Sequence, residues 1–178
     1  MRQIKKQGYT LLELTIVIAI IGIIAIAMIP TLSSGNIIKL DLAAEEIADA
    51  ARFAKAEAIR TSTPHGINTD SSSNRIRVFS LPGFLPSYDV HHPLDKKLYD
   101  IQFSNDSRTT GVVMISANYD FDGFASSSNY LIFSSEGIPI ATFIGTDYML
   151  TNGTISLKYQ NDQRIVSISP MTGRVTIQ

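Results

Sequence analysis

A chain of 178 residues that is 44% hydrophobic and 17% charged holds enough apolar material for one core of ordinary domain size. It has no cysteine, which excludes a disulfide framework, a thiolate metal site and a thiol nucleophile. The formal charge of −1 is unevenly placed. Arg2, Lys5 and Lys6 precede a long apolar run, and loss of the first eight residues would leave −4, a balance that argues against nucleic acid as a partner.

The first predicted element is a helix. Residues 14–29 carry no charge, and their only polar side chain is Thr15. A helix from Tyr9 to about residue 31 would rise ~34 Å, enough to cross a hydrocarbon core of ~30 Å. A secretory signal peptide would place small residues and its cleavage site after the apolar stretch. Here that end reads Ala27-Met28-Ile29-Pro30-Thr31-Leu32, and the small residue, Gly8, stands before the stretch. The segment therefore reads as a retained anchor, with the cations at residues 2, 5 and 6 holding the N-terminus in the cytoplasm and sending the rest of the chain across. Glu13 is the only acid before Asp41. An ionised carboxylate in an apolar helix costs a few kcal/mol or more without a partner, which makes Glu13 a functional candidate. Pro30 ends the run, because it lacks a backbone donor and crowds the preceding turn.

The segment Lys5-Lys6-Gln7-Gly8-Tyr9-Thr10-Leu11-Leu12-Glu13-Leu14 resembles the class III signal of type IV pilins and type II secretion pseudopilins. The resemblance implies a leader of residues 1–8 removed by a prepilin peptidase at the Gly8-Tyr9 bond, and methylation of Tyr9 as the new N-terminus. It also implies that Glu13 pairs with the N-terminal ammonium of a neighbouring subunit, and that Pro30 lets the helix stretch or melt in a filament. Phenylalanine or methionine is commoner than tyrosine after the glycine in that family. The expected partners are other pilins or pseudopilins, the peptidase, an inner-membrane assembly platform and membrane lipid.

After residues 9–32, the expected transmembrane and filament-core helix, Ser33-Ser34-Gly35-Asn36 reads as a hinge. Leu40, Ala44, Ile47, Ala51, Ala54 and Ala58 then recur at intervals of three and four, opposite Asp41, Glu45, Asp49 and Arg52. Hinge and amphipathic helix together fill residues 33–63, and Pro64 marks the stop. From residue 64 to 178 the pattern becomes short β-like runs, with candidate strands at 75–80, 98–103, 112–116, 130–134, 154–159, 164–168 and 174–177. Asn161-Asp162 and Pro170-Met171-Thr172-Gly173 read as turns, and residues 81–94 as a long loop. The predicted class is α+β: a long, bent N-terminal helix whose second half packs on an antiparallel sheet or two sheets.

Three later segments resemble the GspH and FimT group: Ala51-Arg52-Phe53-Ala54-Lys55-Ala56-Glu57-Ala58-Ile59, Ile132-Phe133-Ser134-Ser135-Glu136-Gly137, and Arg164-Ile165-Val166 with Thr172-Gly173-Arg174-Val175. The resemblance implies a minor pseudopilin of a type II secretion system, anchored in the inner membrane with a periplasmic domain. A FimT-like minor pilin that captures DNA is the alternative. In that group the DNA contacts sit on a Gly-Arg-x-Arg signature, of which Gly173-Arg174-Val175-Thr176 keeps the first arginine, leaving Lys158, Arg164 and Arg174 as weak DNA-binding candidates.

Asn118-Tyr119-Asp120-Phe121-Asp122-Gly123 alternates oxygen ligands ahead of a glycine, as the first half of a calcium loop does. The twelfth position is Asn129 and not a bidentate glutamate, so Asn118, Asp120 and Asp122 are weak calcium candidates beside the plainer reading of an acidic surface turn. His91-His92 lacks a third ligand placed by spacing and reads as a loop pair. No serine lies in Gly-x-Ser-x-Gly, and the expectation is a protein with no cofactor and no catalysis of its own.

Overall fold

The computed structural model describes residues 10–28, 34–83, 85–123, 128–143 and 145–178. The chain divides into two compact units, Met1–Gly35 and Asn36–Gln178.

In the first unit, α1 (Leu11–Met28) follows directly from the apolar run. Thr10 starts it: its carbonyl accepts from the Glu13 and Leu14 amides, and its Oγ1 accepts from the Glu13 amide at 3.3 Å. The hydroxyl of Thr15 folds back onto the Leu11 and Leu12 carbonyls at 2.8 and 2.9 Å, so the one hydroxyl within the run is satisfied inside the helix. Eighteen residues rise about 27 Å. Among the described residues no helix is long and apolar enough to cross a membrane. Tyr9 and residues 29–32, which the predicted span includes, lie outside the described residues.

The second unit is built on α2 (Ser34–Thr61). Ser34, Gly35 and Asn36, expected in a hinge, belong to this helix. It stops after Thr61, where Ser62 takes a left-handed φ of 52° and Pro64 follows. Nine side chains of α2 are fully buried: Leu40, Ile47 and seven alanines. Alanine costs no rotamer entropy and lets the helix backbone approach the sheet closely.

Nine strands follow among the described residues: β1 (His65–Asp70), β2 (Arg75–Ser80), β3 (Asp100–Gln102), β4 (Val113–Phe121), β5 (Tyr130–Phe133), β6 (Pro139–Phe143), β7 (Thr146–Tyr159), β8 (Asp162–Ile168) and β9 (Val175–Ile177). All pairings are antiparallel, in the order β3-β2-β1-β5-β6-β7-β8-β9, with β4 added on β7. The long β7 joins two halves: residues 146–149 pair with β6, while residues 153–159 pair with β8. The core lies between α2 and these strands, where Ile67, Ile76, Phe103, Met114, Tyr119, Phe133, Ile155 and Leu157 meet the alanine face.

The strand predictions need five corrections. β1 and β6 fall where no strand was expected, and β7 begins eight residues before the predicted 154. β1 lacks alternation because both of its faces are covered, with His65, Asn68 and Thr69 buried beside Ile67. Its Gly66 is a requirement of close approach: a Cβ there would lie 2.3 Å from the Leu131 carbonyl and 2.6 Å from the Phe79 ring, which occupies the space opposite. The predicted 98–103 shortens to β3, and 112–116 lengthens to β4.

β4 pairs only with β7 among the described strands, so one of its edges is open. Asn74, at φ 54° between β1 and β2, closes part of it: its Nδ2 donates to the Val112 carbonyl at 2.6 Å and its Oδ1 accepts from the Met114 amide at 2.8 Å. Further along, the Ser128 amide donates to the Tyr119 carbonyl at 3.0 Å.

Candidate functional site

Glu13 is the third residue of α1 and the only ionisable side chain on it. That position carries the positive end of the helix dipole, and an acid there is stabilised by typically 0.3–1 kcal/mol when exposed. With Thr10 it forms the Thr-x-x-Glu arrangement of a capping box. The three-residue spacing from Thr10 to Glu13 makes Thr10 legible in sequence as the residue that sets where α1 begins. The carboxylate is exposed, and around it the side chains of Leu11 to Ile24 stand apolar and exposed on every face. The arrangement is a single negative charge presented at the start of an uncovered apolar rod. Gly8, Tyr9 and Pro30 lie outside the described residues.

The three later segments that suggested a family turn out to be packing devices. In the helical one, Ala51, Ala54 and Ala58 are fully buried, whereas Arg52 pairs with Asp49 and Glu45, and Glu57 with Arg60, on the solvated side. The turn after β5 brings Gly137, at φ 79°, against Ile59 and Lys55 of α2; a Cβ there would lie 2.8 Å from Ile59 Cδ1. The turn after β8 places the Thr172 carbonyl 2.6 Å from Lys55 Nζ, which donates to it. Both turns thus clamp the C-terminal end of α2. Toward its other end the helix is held by Arg164 donating to Asp41 at 2.7 Å and by Arg108 donating to Glu46 at 3.3 Å.

These contacts bear on the weak DNA-binding candidates. Arg164 is engaged by Asp41 and shares the inner face of β8 with Val166 and Ile168, while Lys158 alternates with the buried Leu157 and faces outward. Arg174 sits beside Ser169 at the far end of β8, five residues and roughly 17 Å from Arg164 along the strand. The structure does not bring the three cations onto one surface.

The weak calcium candidates are placed as follows. Asn118 and Asp120 lie on β4, where alternate residues are ~6.8 Å apart along an extended backbone, not wrapped around a loop. Asp120 is taken by Asn152, whose Nδ2 donates at 3.1 Å, and Asp122 follows the strand. Among the described residues no group of three or more His, Asp or Glu converges.

An apolar helix with one carboxylate in its first turn, ahead of an alanine-faced helix on a curled antiparallel sheet, is the pilin-like α+β fold. Comparison with known families agrees at both ends of the chain. The family model for the prokaryotic N-terminal methylation motif matches residues 4–29, and that for the type II transport protein GspH matches residues 43–173. Among solved structures, two of the minor pseudopilin EpsH from the type 2 secretion system of Vibrio cholerae match at 14% identity, with TM-scores of 0.53 and 0.51. They cover 78% of this chain and 94% and 92% of theirs. The type IV minor pilin FimU of Pseudomonas aeruginosa matches at 20% identity and TM-score 0.43, over 78% of this chain and 86% of that one. No curated protein matches. The chain belongs to the GspH family.

Proposed function

We propose that this protein is a minor pseudopilin that enters the pseudopilus of a type II secretion system after cleavage between Gly8 and Tyr9 and methylation of Tyr9. The observation that carries the reading is the order of two features on one chain: a methylation motif over residues 4–29, with Glu13 in the first turn of an apolar helix, and then a GspH domain over residues 43–173. The protein is the substrate of a prepilin peptidase, and its own role is mechanical. Its apolar helix anchors it in the inner membrane, with the α2 and sheet unit on the periplasmic side.

The chemistry is charge neutralisation. Cleavage creates an ammonium at Tyr9 that is costly to hold in hydrocarbon, as is the carboxylate of Glu13. Pairing the ammonium of one subunit with the carboxylate of another cancels both and favours a single axial register. Thr10 fixes the first turn and so the height at which Glu13 is offered. Pro30 has no backbone donor, and in this reading it supplies a place where the shaft can yield during packing.

Mass spectrometry of the chain coexpressed with the peptidase tests the reading. The expected mature N-terminus is N-methylated Tyr9; an intact chain, or one cut near Ala27, would remove it.

A further inference from the structure

The outer face of β7, β8 and β9 carries a row of small hydroxyls. Thr154 of β7 stands opposite Ser167 of β8, which in turn stands opposite Thr176 of β9. Their chain neighbours Ile155, Val166, Ile168 and Val175 are buried in the core, so strand alternation turns the three hydroxyl side chains away from it. With strands ~4.8 Å apart the row is roughly 10 Å long. All three residues are half-buried, and their hydroxyls hold no hydrogen bond among the described residues.

Arg174 flanks this row, two residues before Thr176 and so on the same face. Its carbonyl accepts from the Ser169 amide at 2.8 Å and its amide donates to Thr172 Oγ1 at 3.4 Å, which pins the backbone its side chain leaves from. The guanidinium is exposed and pairs with no carboxylate among the described residues. That sets it apart. Arg52, Arg60, Arg75, Arg108 and Arg164 each hold a carboxylate, and Arg77 lies over the Tyr88 ring at 4.3 Å. Arg174, the hydroxyl row and Asn152 line a cleft of about 280 Å³, and its described lining holds neither a carboxylate nor an aromatic ring. Asp120, opposite Asn152 in register, stays outside the lining and accepts from Asn152 Nδ2 at 3.1 Å.

We propose that this cleft binds a uronic acid residue of an acidic glycan, whose carboxylate takes the Arg174 guanidinium while its ring hydroxyls bond to Thr154, Ser167 and Thr176. One uncompensated cation selects an anion, and the planar fork of an arginine matches a carboxylate. The hydroxyls select the rest of the ligand. Each of them can donate and accept, and spread over roughly 10 Å they cannot converge on a single anionic group. A ligand that satisfies the whole cleft therefore carries hydroxyls of its own beyond its charge. The volume lies just below the ~300–1,000 Å³ of pockets that take drug-sized ligands, which suits a single sugar ring. The hydroxyls sit on paired strands and Arg174 on a pinned turn, so little backbone ordering accompanies binding. The site lies wholly within the α2 and sheet unit and is independent of filament assembly.

Ligand-observed NMR titration of the full chain, solubilised in a detergent without a sugar headgroup, tests the site. The probes are trigalacturonate, the neutral galactose trisaccharide, acetate and inorganic phosphate. Trigalacturonate should bind roughly tenfold or more tightly than each of the other three. Arg174→Gln should weaken it by a similar factor, and Ser167→Ala with Thr176→Val should weaken it several-fold. Lys158→Gln removes a cation from the same face outside the cleft and should leave binding within about twofold of the parent. Thermal unfolding of each variant checks that the fold is kept, and Thr176→Val by itself replaces the double variant if that one unfolds early. Equal binding of the neutral trisaccharide would overturn the charge selection. Acetate or phosphate binding as tightly as trigalacturonate would reduce the cleft to a plain anion site and overturn the glycan. Indifference to Arg174→Gln or to loss of the hydroxyls, or an equal loss from Lys158→Gln, would likewise sink the proposal.

Discussion

The two described helices, α1 and α2, solve the same problem in opposite ways. In α1 the large apolar side chains from Leu11 to Ile24 are 47–83% exposed, and no face is reserved for water. In α2 nine side chains are fully buried, while Glu45, Asp49 and Arg52 form an ion-paired solvent face. A helix that is apolar all round must be covered by other molecules, whereas an amphipathic one can be covered by its own chain. Sequence marks the difference in residue choice. α1 is built of leucine and isoleucine, bulky groups that gain most from transfer out of water. α2 spends seven alanines on closeness to a partner already in place. The contrast predicts that lesions in α1 abolish association without unfolding the protein, and that lesions in α2 unfold it first.

The largest effect expected on that contrast is at Glu13. Glu13→Leu should leave processing and membrane residence intact, because the proposed cut lies at Gly8, outside the substitution, and the helix becomes more apolar. Assembly should fall by two orders of magnitude or more, since a neighbouring ammonium left unpaired costs about 3–5 kcal/mol. Crosslinking of membrane fractions measures it, with the protein still cut and abundant; parent-like crosslinking and secretion would end the charge-pair mechanism. On the α2 side, Ile47→Ala empties a fully buried position that the alanine face cannot refill, and should destabilise the folded chain by about 2–5 kcal/mol. Urea unfolding of the detergent-solubilised protein checks it. A loss below about 1 kcal/mol would mean that α2 is not the keystone of the unit.

A smaller, pH-dependent effect sharpens the comparison within the sheet unit. The hydroxyls and amides of Ser72 and Ser73 hold the Asp70 carboxyl down at about 2. A carboxyl whose folded pKa is depressed adds stability above its ordinary pKa of about 4, and that increment is lost as the pH falls toward 2. The gap in Tm between the parent and Asp70→Asn should therefore be largest above pH 4 and close between pH 4 and 2. A gap independent of pH would assign the turn's stability to something other than that charge.

Much of the architecture could be read in advance where one physical signal dominates. The apolar run gave α1, the three-and-four spacing from Leu40 to Ala58 gave α2, and the alternation near Ile155 and Leu157 gave the inner half of β7. The failures share a cause. β1 is covered on both faces and buries His65, Asn68 and Thr69, so alternation is absent and polarity misleads. β6 opens on Pro139, a residue that marks breaks more often than strands. Asn118 and Asp120 lie on a strand and still carry the spacing of calcium ligands, because strand alternation and ligand alternation share a period of two. Of the candidate site, Glu13 was visible as an isolated charge, and Thr10 could have been found from its capping spacing. The cleft beside Arg174 could not, since the row of Thr154, Ser167 and Thr176 depends on a strand register that no local pattern encodes.

The amide of Asn74 has a consequence for the life of such a molecule. In any crowded assembly an open strand edge is a template for an unwanted polymer built by backbone zippering. Asn74 offers β4 one donor and one acceptor, at 2.6 and 2.8 Å, on the spacing a neighbouring strand would use. Unlike a strand, a side chain has no second edge to pass on. That stretch of the β4 edge is closed to a further strand within the chain itself.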